Sequence, residues 1–303
     1  MAAEQAQDGY ETYYVPHNSA LPIFASIGIF LTLFGMGNML NDMTAARDSN
    51  MGLFIFLAGG LAMGTTLFYW FASVIRENHQ KLYSNQMNRS FVWAMSWFIF
   101  SEVMFFAAFF GALFYIRVWV VGWLDGEGGR GPSDMLWPDY AAEWPLLNTP
   151  DMERFPGAQD VIHWWPLPFI NTVLLLSSSV TITFSHHGLN EGNRSKFINW
   201  LGATIALGLI FLCVQSYEYY HAYADLGLTL NAGIFGTTFF MLTGFHGAHV
   251  TLGTFMLIVQ WFRARRGHFN EEDQFGFEAS AWYWHFVDVV WVGLFIFVYL
   301  LGT

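Results

Sequence analysis

Between Phe91 and Arg117 the chain reads FVWAMSWFIFSEVMFFAAFFGALFYIR, 27 residues in which eleven side chains are aromatic and Glu102 is the one interior charge. As a helix rising about 1.5 Å per residue, this stretch is roughly 40 Å long and crosses a hydrocarbon layer of about 30 Å with some tilt. Glu102 falls near its middle. A bare carboxylate there costs several kcal/mol, so Glu102 must be protonated, paired, or turned towards a protected interior. Within this stretch the one basic residue is Arg117, roughly 22 Å along the axis. Two readings stay open: a neutral acid hydrogen-bonded to a neighbouring helix, or a residue tied to proton chemistry.

Composition extends this reading to the whole chain. Of 303 residues, 54% are hydrophobic and 12% charged, about half the charge of a soluble domain. The single cysteine, Cys213, lies in an apolar run, which excludes an internal disulfide, a cysteine-ligated cluster and a thiol redox pair. Residues 1–18 carry Glu4, Asp8 and Glu11 with no Lys or Arg; no cleavable signal is visible, and the first apolar run is expected to serve as its own insertion signal.

Seven apolar runs are long enough to span: 19–40, 51–75, 91–117, 167–186, 197–221, 231–262 and 275–301. The even-numbered loops hold eight basic residues (Arg76, Lys81, Arg89, Arg194, Lys196, Arg263, Arg265, Arg266) and the odd-numbered loops four (Arg47, Arg117, Arg130, Arg154). That bias places the N-terminus inside and the C-terminus outside. The external loop 118–165 opens with DGEGGRGP and carries eight acidic residues. It reads either as a device that steers charged partners or as a plain solvated loop, irregular, with its Trp-Pro steps lying flat at the interface.

The later spans carry the other polar groups. In GFHGAHV, His246 and His249 stand three apart on one helix face among Gly233, Gly236, Gly244, Gly247 and Gly253, glycines that suggest close helix contact. Glu278, His285 and Asp288 form one polar stripe on the last span, and Gln215 and Glu218 share a face on the fifth. Such stripes must face protein. A metal site is disfavoured because carboxylate-bridged di-iron bundles use paired Glu-x-x-His motifs, whereas the spans hold that spacing once, from Glu218 to His221, and a haem would need room that the glycines deny. A proton-coupled or small-solute transporter is the alternative class, but there is no internal duplication and no matched pair of interrupted helices. A G-protein-coupled receptor would need the opposite orientation.

SEVMFF (Ser101–Phe106), INTVLLLSSSVTITFSHHGLNEGNR (Ile170–Arg194), SYEYY (Ser216–Tyr220), FGTTFFMLTGFHGAHVTLG (Phe235–Gly253) and above all FGFEASAWYWHFVDVVW (Phe275–Trp291) closely resemble subunit III of haem-copper cytochrome c oxidases. The resemblance covers residues 65–303. Quinol oxidases have a similar third subunit of five helices, so the two further N-terminal spans favour the cytochrome c branch. The resemblance implies an all-α, polytopic membrane protein of seven helices, with a two-helix bundle (19–75) and a five-helix bundle (91–303) forming a V-shaped lipid cleft. An inner polar tail (1–18) and an inner loop (76–90) complete the chain.

It also implies an accessory subunit without a redox centre of its own, an enzyme only as part of the complex. It would stabilise the catalytic subunit, bind structural phospholipid and support proton uptake while oxygen is reduced to water. Haems and copper would belong to the partners, subunit I and subunit II, with cytochrome c as donor and no nucleic acid. The membrane would be a bacterial plasma membrane or a mitochondrial inner membrane. Glu102 would face the cleft; Arg76, Glu77, His79, Arg263, Arg266 and His268 would be candidates for lipid headgroups; Glu218, His246, His249, Glu278, His285 and Asp288 for an inter-helix polar network; and His17 for proton collection. Two departures stand out: WFASVIRE has Ala72 and Ser73 where the family commonly carries an earlier charged pair, and His17 is alone where the family often has several histidines.

The isolated chain is expected to hold no stoichiometric haem, copper, iron or zinc. Elemental analysis with an absorption spectrum checks this; one metal per chain on His246, His249 or His285 would contradict it.

Overall fold

The computed structural model describes residues 14–15, 18–126, 133–138, 140–269 and 273–302, so His17 lies outside the described residues. Seven helices are long and apolar enough to cross a membrane: α1 (Leu21–Thr44), α2 (Met51–His79), α3 (Asn85–Tyr115), α4 (Leu167–Asn190), α5 (Arg194–Ala224), α6 (Gly233–Arg265) and α7 (Phe275–Leu294). No strand occurs among the described residues. Two helices continue through π-helical segments, α3 by Ile116–Val120 into Val121–Leu124 and α7 by Phe295–Leu300. The helices outrun several of the apolar windows because a backbone leaving the bilayer keeps its hydrogen bonds within the helix while polar side chains such as Asn85, Arg194 and Arg265 reach water.

The chain divides into two compact units, Met1–Trp93 and Ala94–Thr303. In the first, α1 and α2 form an antiparallel hairpin whose contact is made by glycine. A Cβ on Gly35 would collide with the backbone of Phe56, one on Gly59 with Thr32, one on Gly52 with Met39, and one on Gly28 would come 3.0 Å from the Met63 nitrogen. These four repeat every seven residues along each helix, a period that keeps one small-residue seam facing the partner. Gly37, Gly60 and Gly64 do not belong to the seam, since a Cβ on any of them would meet nothing within 4 Å.

In the second unit α7 is the packed axis. Tyr283, Trp284, Trp291 and Tyr299 are each 1% exposed or less. The Trp284 indole lies between Gly208 of α5 and Gly253 of α6, where a Cβ would stand 2.7 and 3.0 Å from the ring, and its Nε1 donates to Ser178 Oγ of α4 at 2.8 Å. Seven residues on, Trp291 Nε1 donates to Thr172 Oγ1 of α4 at 3.0 Å. The register 284/178 and 291/172 makes α4 and α7 antiparallel.

Here the sequence expectation needs correcting: Gly253 makes room for an indole, not for a neighbouring backbone, and Gly247 meets nothing within 4 Å. Helix α3 is held differently, at the reach of large side chains. Phe105 packs edge-on against Phe245 at 5.1 Å, Phe98 stacks on Tyr283 at 6.1 Å, and Phe110 meets Phe297 at 5.9 Å. The loop 118–165 is packed onto the bundle in part: Leu146, Ala158, Val161 and Ile162 are buried, Trp144 packs edge-on against Phe235 of α6, and Gln159 N–H donates to Leu226 O.

The seam generates a paired prediction. Gly35→Ala should destabilise the hairpin by about 1–3 kcal/mol through overpacking, whereas Gly37→Ala should stay within about 0.5 kcal/mol of the parent. Detergent-unfolding curves of the two variants decide; equal effects would contradict the assignment.

Candidate functional site

Several intramembrane polar groups are answered by a second helix. Glu102 is the clearest case: Oε2 lies 2.9 Å from His249 Nε2 of α6, so the basic partner absent from its own helix comes from 147 residues away in the chain. His249 Nδ1 stands 2.6 Å from the Phe245 carbonyl oxygen. A carbonyl only accepts, so Nδ1 carries a hydrogen, and one further proton lies between Nε2 and Oε2. Either a carboxylic acid donates to a neutral imidazole, or an imidazolium donates to a carboxylate. Both descriptions leave the pair with no net charge, which is what a low-dielectric surrounding favours. Phe105 and Phe106 close around the imidazole, with centroids at 5.9 and 5.0 Å.

His246, three residues earlier, goes elsewhere. It is 1% exposed, its Nε2 lies 3.2 Å from Val287 O of α7, and its ring packs on Phe211 and Trp291. Three residues along a helix turn about 300°, enough for the two histidines to serve different neighbours.

The stripe on α7 faces α4. Glu278 Oε1 is 3.5 Å from His186 Nε2, His285 Nδ1 is 2.8 Å from Ser179 Oγ, and buried Asp288 has Oδ2 at 4.0 Å from the same His285 nitrogen. Glu218 belongs to a separate buried cluster, in which Tyr299 O–H and Gln215 Nε2 donate to Oε1 at 2.6 and 3.0 Å while Asn171 Nδ2 donates to Gln215 Oε1 at 3.2 Å. The six candidates for one network therefore sit in several separate groups. Among the described residues, no set of three or more His, Cys, Asp or Glu converges in a way that could hold a metal ion.

The headgroup candidates lie in unlike surroundings. At the end of α2, Arg76 and His79 are exposed, while Glu77 Oε2 accepts from Tyr83 O–H at 2.7 Å; burial first, and then this bond, push the Tyr83 phenol well above its ordinary pKa. Arg263 is turned towards α7, donating to Gln260 Oε1 at 3.0 Å and lying 4.6 Å over the Phe269 ring. Arg266 is exposed and His268 half-buried.

Comparison with known proteins matches the family model described as Cytochrome c oxidase subunit III to residues 11–149 and 154–303. The chain belongs to the cytochrome c oxidase subunit III family. It is 34% identical over 296 residues to "Probable cytochrome c oxidase subunit 3" of Rickettsia conorii, covering 96% of this chain and 94% of the relative. It is 35% identical to "Cytochrome c oxidase subunit 3" of Drosophila melanogaster over 291 residues and to that of Arabidopsis thaliana over 297, in each case covering 96% of this chain and 97% of the relative.

For a subunit III, the residues missing from the sequence reading are informative. Tyr299, Asn171, Ser179 and Thr172 complete the polar groups, and amides or hydroxyls inside apolar runs were the available signal. What carried no local signal was the pairing of Glu102 with His249, set by how α3 and α6 pack.

Removing one partner of this pair strands the other. A double-mutant cycle of Glu102→Ala and His249→Phe, read as unfolding free energy in detergent, should give a coupling of about 1 kcal/mol; additive single effects would show that the two do not share a proton.

Proposed function

We propose that this chain is an accessory subunit of a cytochrome c oxidase, which keeps the oxygen-reducing subunit working over many turnovers by retaining structural phospholipid and supporting proton uptake. The observation that carries the proposal is the match to proteins named cytochrome c oxidase subunit 3 over 96% of the chain. In this reading subunit I and subunit II carry the haems and copper, cytochrome c delivers electrons to the complex, and this chain performs no redox step itself.

Its charge bias favours an orientation with the N-terminus inside and the C-terminus outside, in a bacterial plasma membrane or a mitochondrial inner membrane. Phospholipid headgroups would then meet Arg76 and His79 at the inner end of α2, and Arg266 and His268 after α6, by the attraction of basic residues for phosphate at a membrane surface. The Glu102–His249 pair would hold one exchangeable proton at bilayer depth. The groups on the face of α7 towards α4 would stabilise the bundle.

Removal of the subunit should leave the initial rate of oxygen reduction nearly intact and shorten the active lifetime several-fold. Arg76→Ala combined with Arg266→Ala should reproduce a milder decay with less retained phospholipid. Oxygen-consumption progress curves and lipid mass spectrometry decide: immediate loss of all activity with lipid content unchanged would overturn the proposal.

A further inference from the structure

The seam between the start of α5 and the end of α6 holds two arginines outside the headgroup candidates named above. Arg194 Nη2 donates to the Arg265 carbonyl oxygen at 2.6 Å, tying the first residue of α5 to the last of α6. The Arg265 guanidinium lies 4.6 Å over the ring of Trp261, one helical turn earlier. Both cations are thus held in place before any ligand arrives, the condition under which a guanidinium binds an anion with little ordering cost.

Among the described residues, charge balance at this seam is incomplete. The nearby acid, Glu191, is taken by Lys196, whose Nζ stands 3.0 and 2.8 Å from its two oxygens. Among the described residues, no carboxylate forms an ion pair with Arg194 or Arg265. Arg194, Ser195, Ile198 and Arg265 line an open groove of about 450 Å³. Its rim is cationic and its wall includes an aliphatic side chain, at the point where two membrane spans leave the bilayer. Indoles and basic side chains at that depth are the usual partners of lipid headgroups, and basic pockets between spans take phosphate-bearing ones.

We propose that this groove is a phosphate site that holds the headgroup of an anionic phospholipid, Arg194 and Arg265 clamping the phosphate and Ile198 lying along the start of an acyl chain. It is separate from the residues after α2 and at Arg266, and it stands whether or not those bind lipid.

The test uses the intact oxidase complex in nanodiscs doped with photoactivatable phosphatidylglycerol or, separately, phosphatidylcholine. Adducts are mapped by peptide mass spectrometry. The anionic probe should label the peptides bearing Ile198 and Arg265 at least five-fold more than the zwitterionic one. Arg194→Ala with Arg265→Ala should remove that excess, and Arg194→Lys with Arg265→Lys should retain most of it, which also serves if the alanine variant fails to assemble. Excess unlabelled phosphatidylglycerol should compete. If 10 mM inorganic phosphate competes equally well, the site takes free phosphate and the lipid assignment is overturned. Equal labelling by both lipids, unchanged in the lysine variant and without competition, would mean ordinary annular lipid and end the proposal.

Discussion

The indole of Trp284 touches three helices besides its own. Its ring fills the space left by Gly208 on α5 and Gly253 on α6, and its N–H reaches Ser178 on α4. In a bilayer the hydrophobic effect does not distinguish a helix surface from lipid, so association depends on tight packing and on polar groups with nowhere else to bond. One rigid ring in a glycine-lined slot supplies the first, and one indole N–H without water supplies the second. Trp291 repeats the indole bond to α4 two turns on, with Thr172 as acceptor. The placement of Glu278 opposite His186 and His285 opposite Ser179 follows from the register these two bonds set.

The same constraint explains why several acids inside this bundle meet polar partners on other helices. Glu102 and His249 share a proton between α3 and α6, and Glu218 is answered by a phenol and an amide. A lone ion at these depths would cost more than its helix packing returns, and Glu102, Glu218 and Glu278 each meet a partner across an inter-helix contact. At the membrane ends the rule relaxes: among the described residues no carboxylate forms an ion pair with Arg194 or Arg265, and a cation there has water within reach.

Seven spans were legible in the sequence because spanning demands a long apolar run whatever the tertiary context, and the stripe Glu278–His285–Asp288 was legible because helical periodicity fixes which residues share a face. Partners were not. Glu102 and His249 are 147 positions apart, and nothing local to either indicates the other. Glycine misled for a related reason: Gly35 admits a backbone, Gly253 admits an indole and Gly37 admits nothing nearby, three roles for a residue whose one local property is the lack of a side chain.

Trp284→Ala in the assembled oxidase tests the role of α7 most directly, with Trp97→Ala, at a position 64% exposed, as reference. If the indole organises α4, α5 and α6, its loss should lower the unfolding free energy in detergent by about 3–5 kcal/mol more than the reference change. A difference within about 0.5 kcal/mol would mean that the bundle holds together without it.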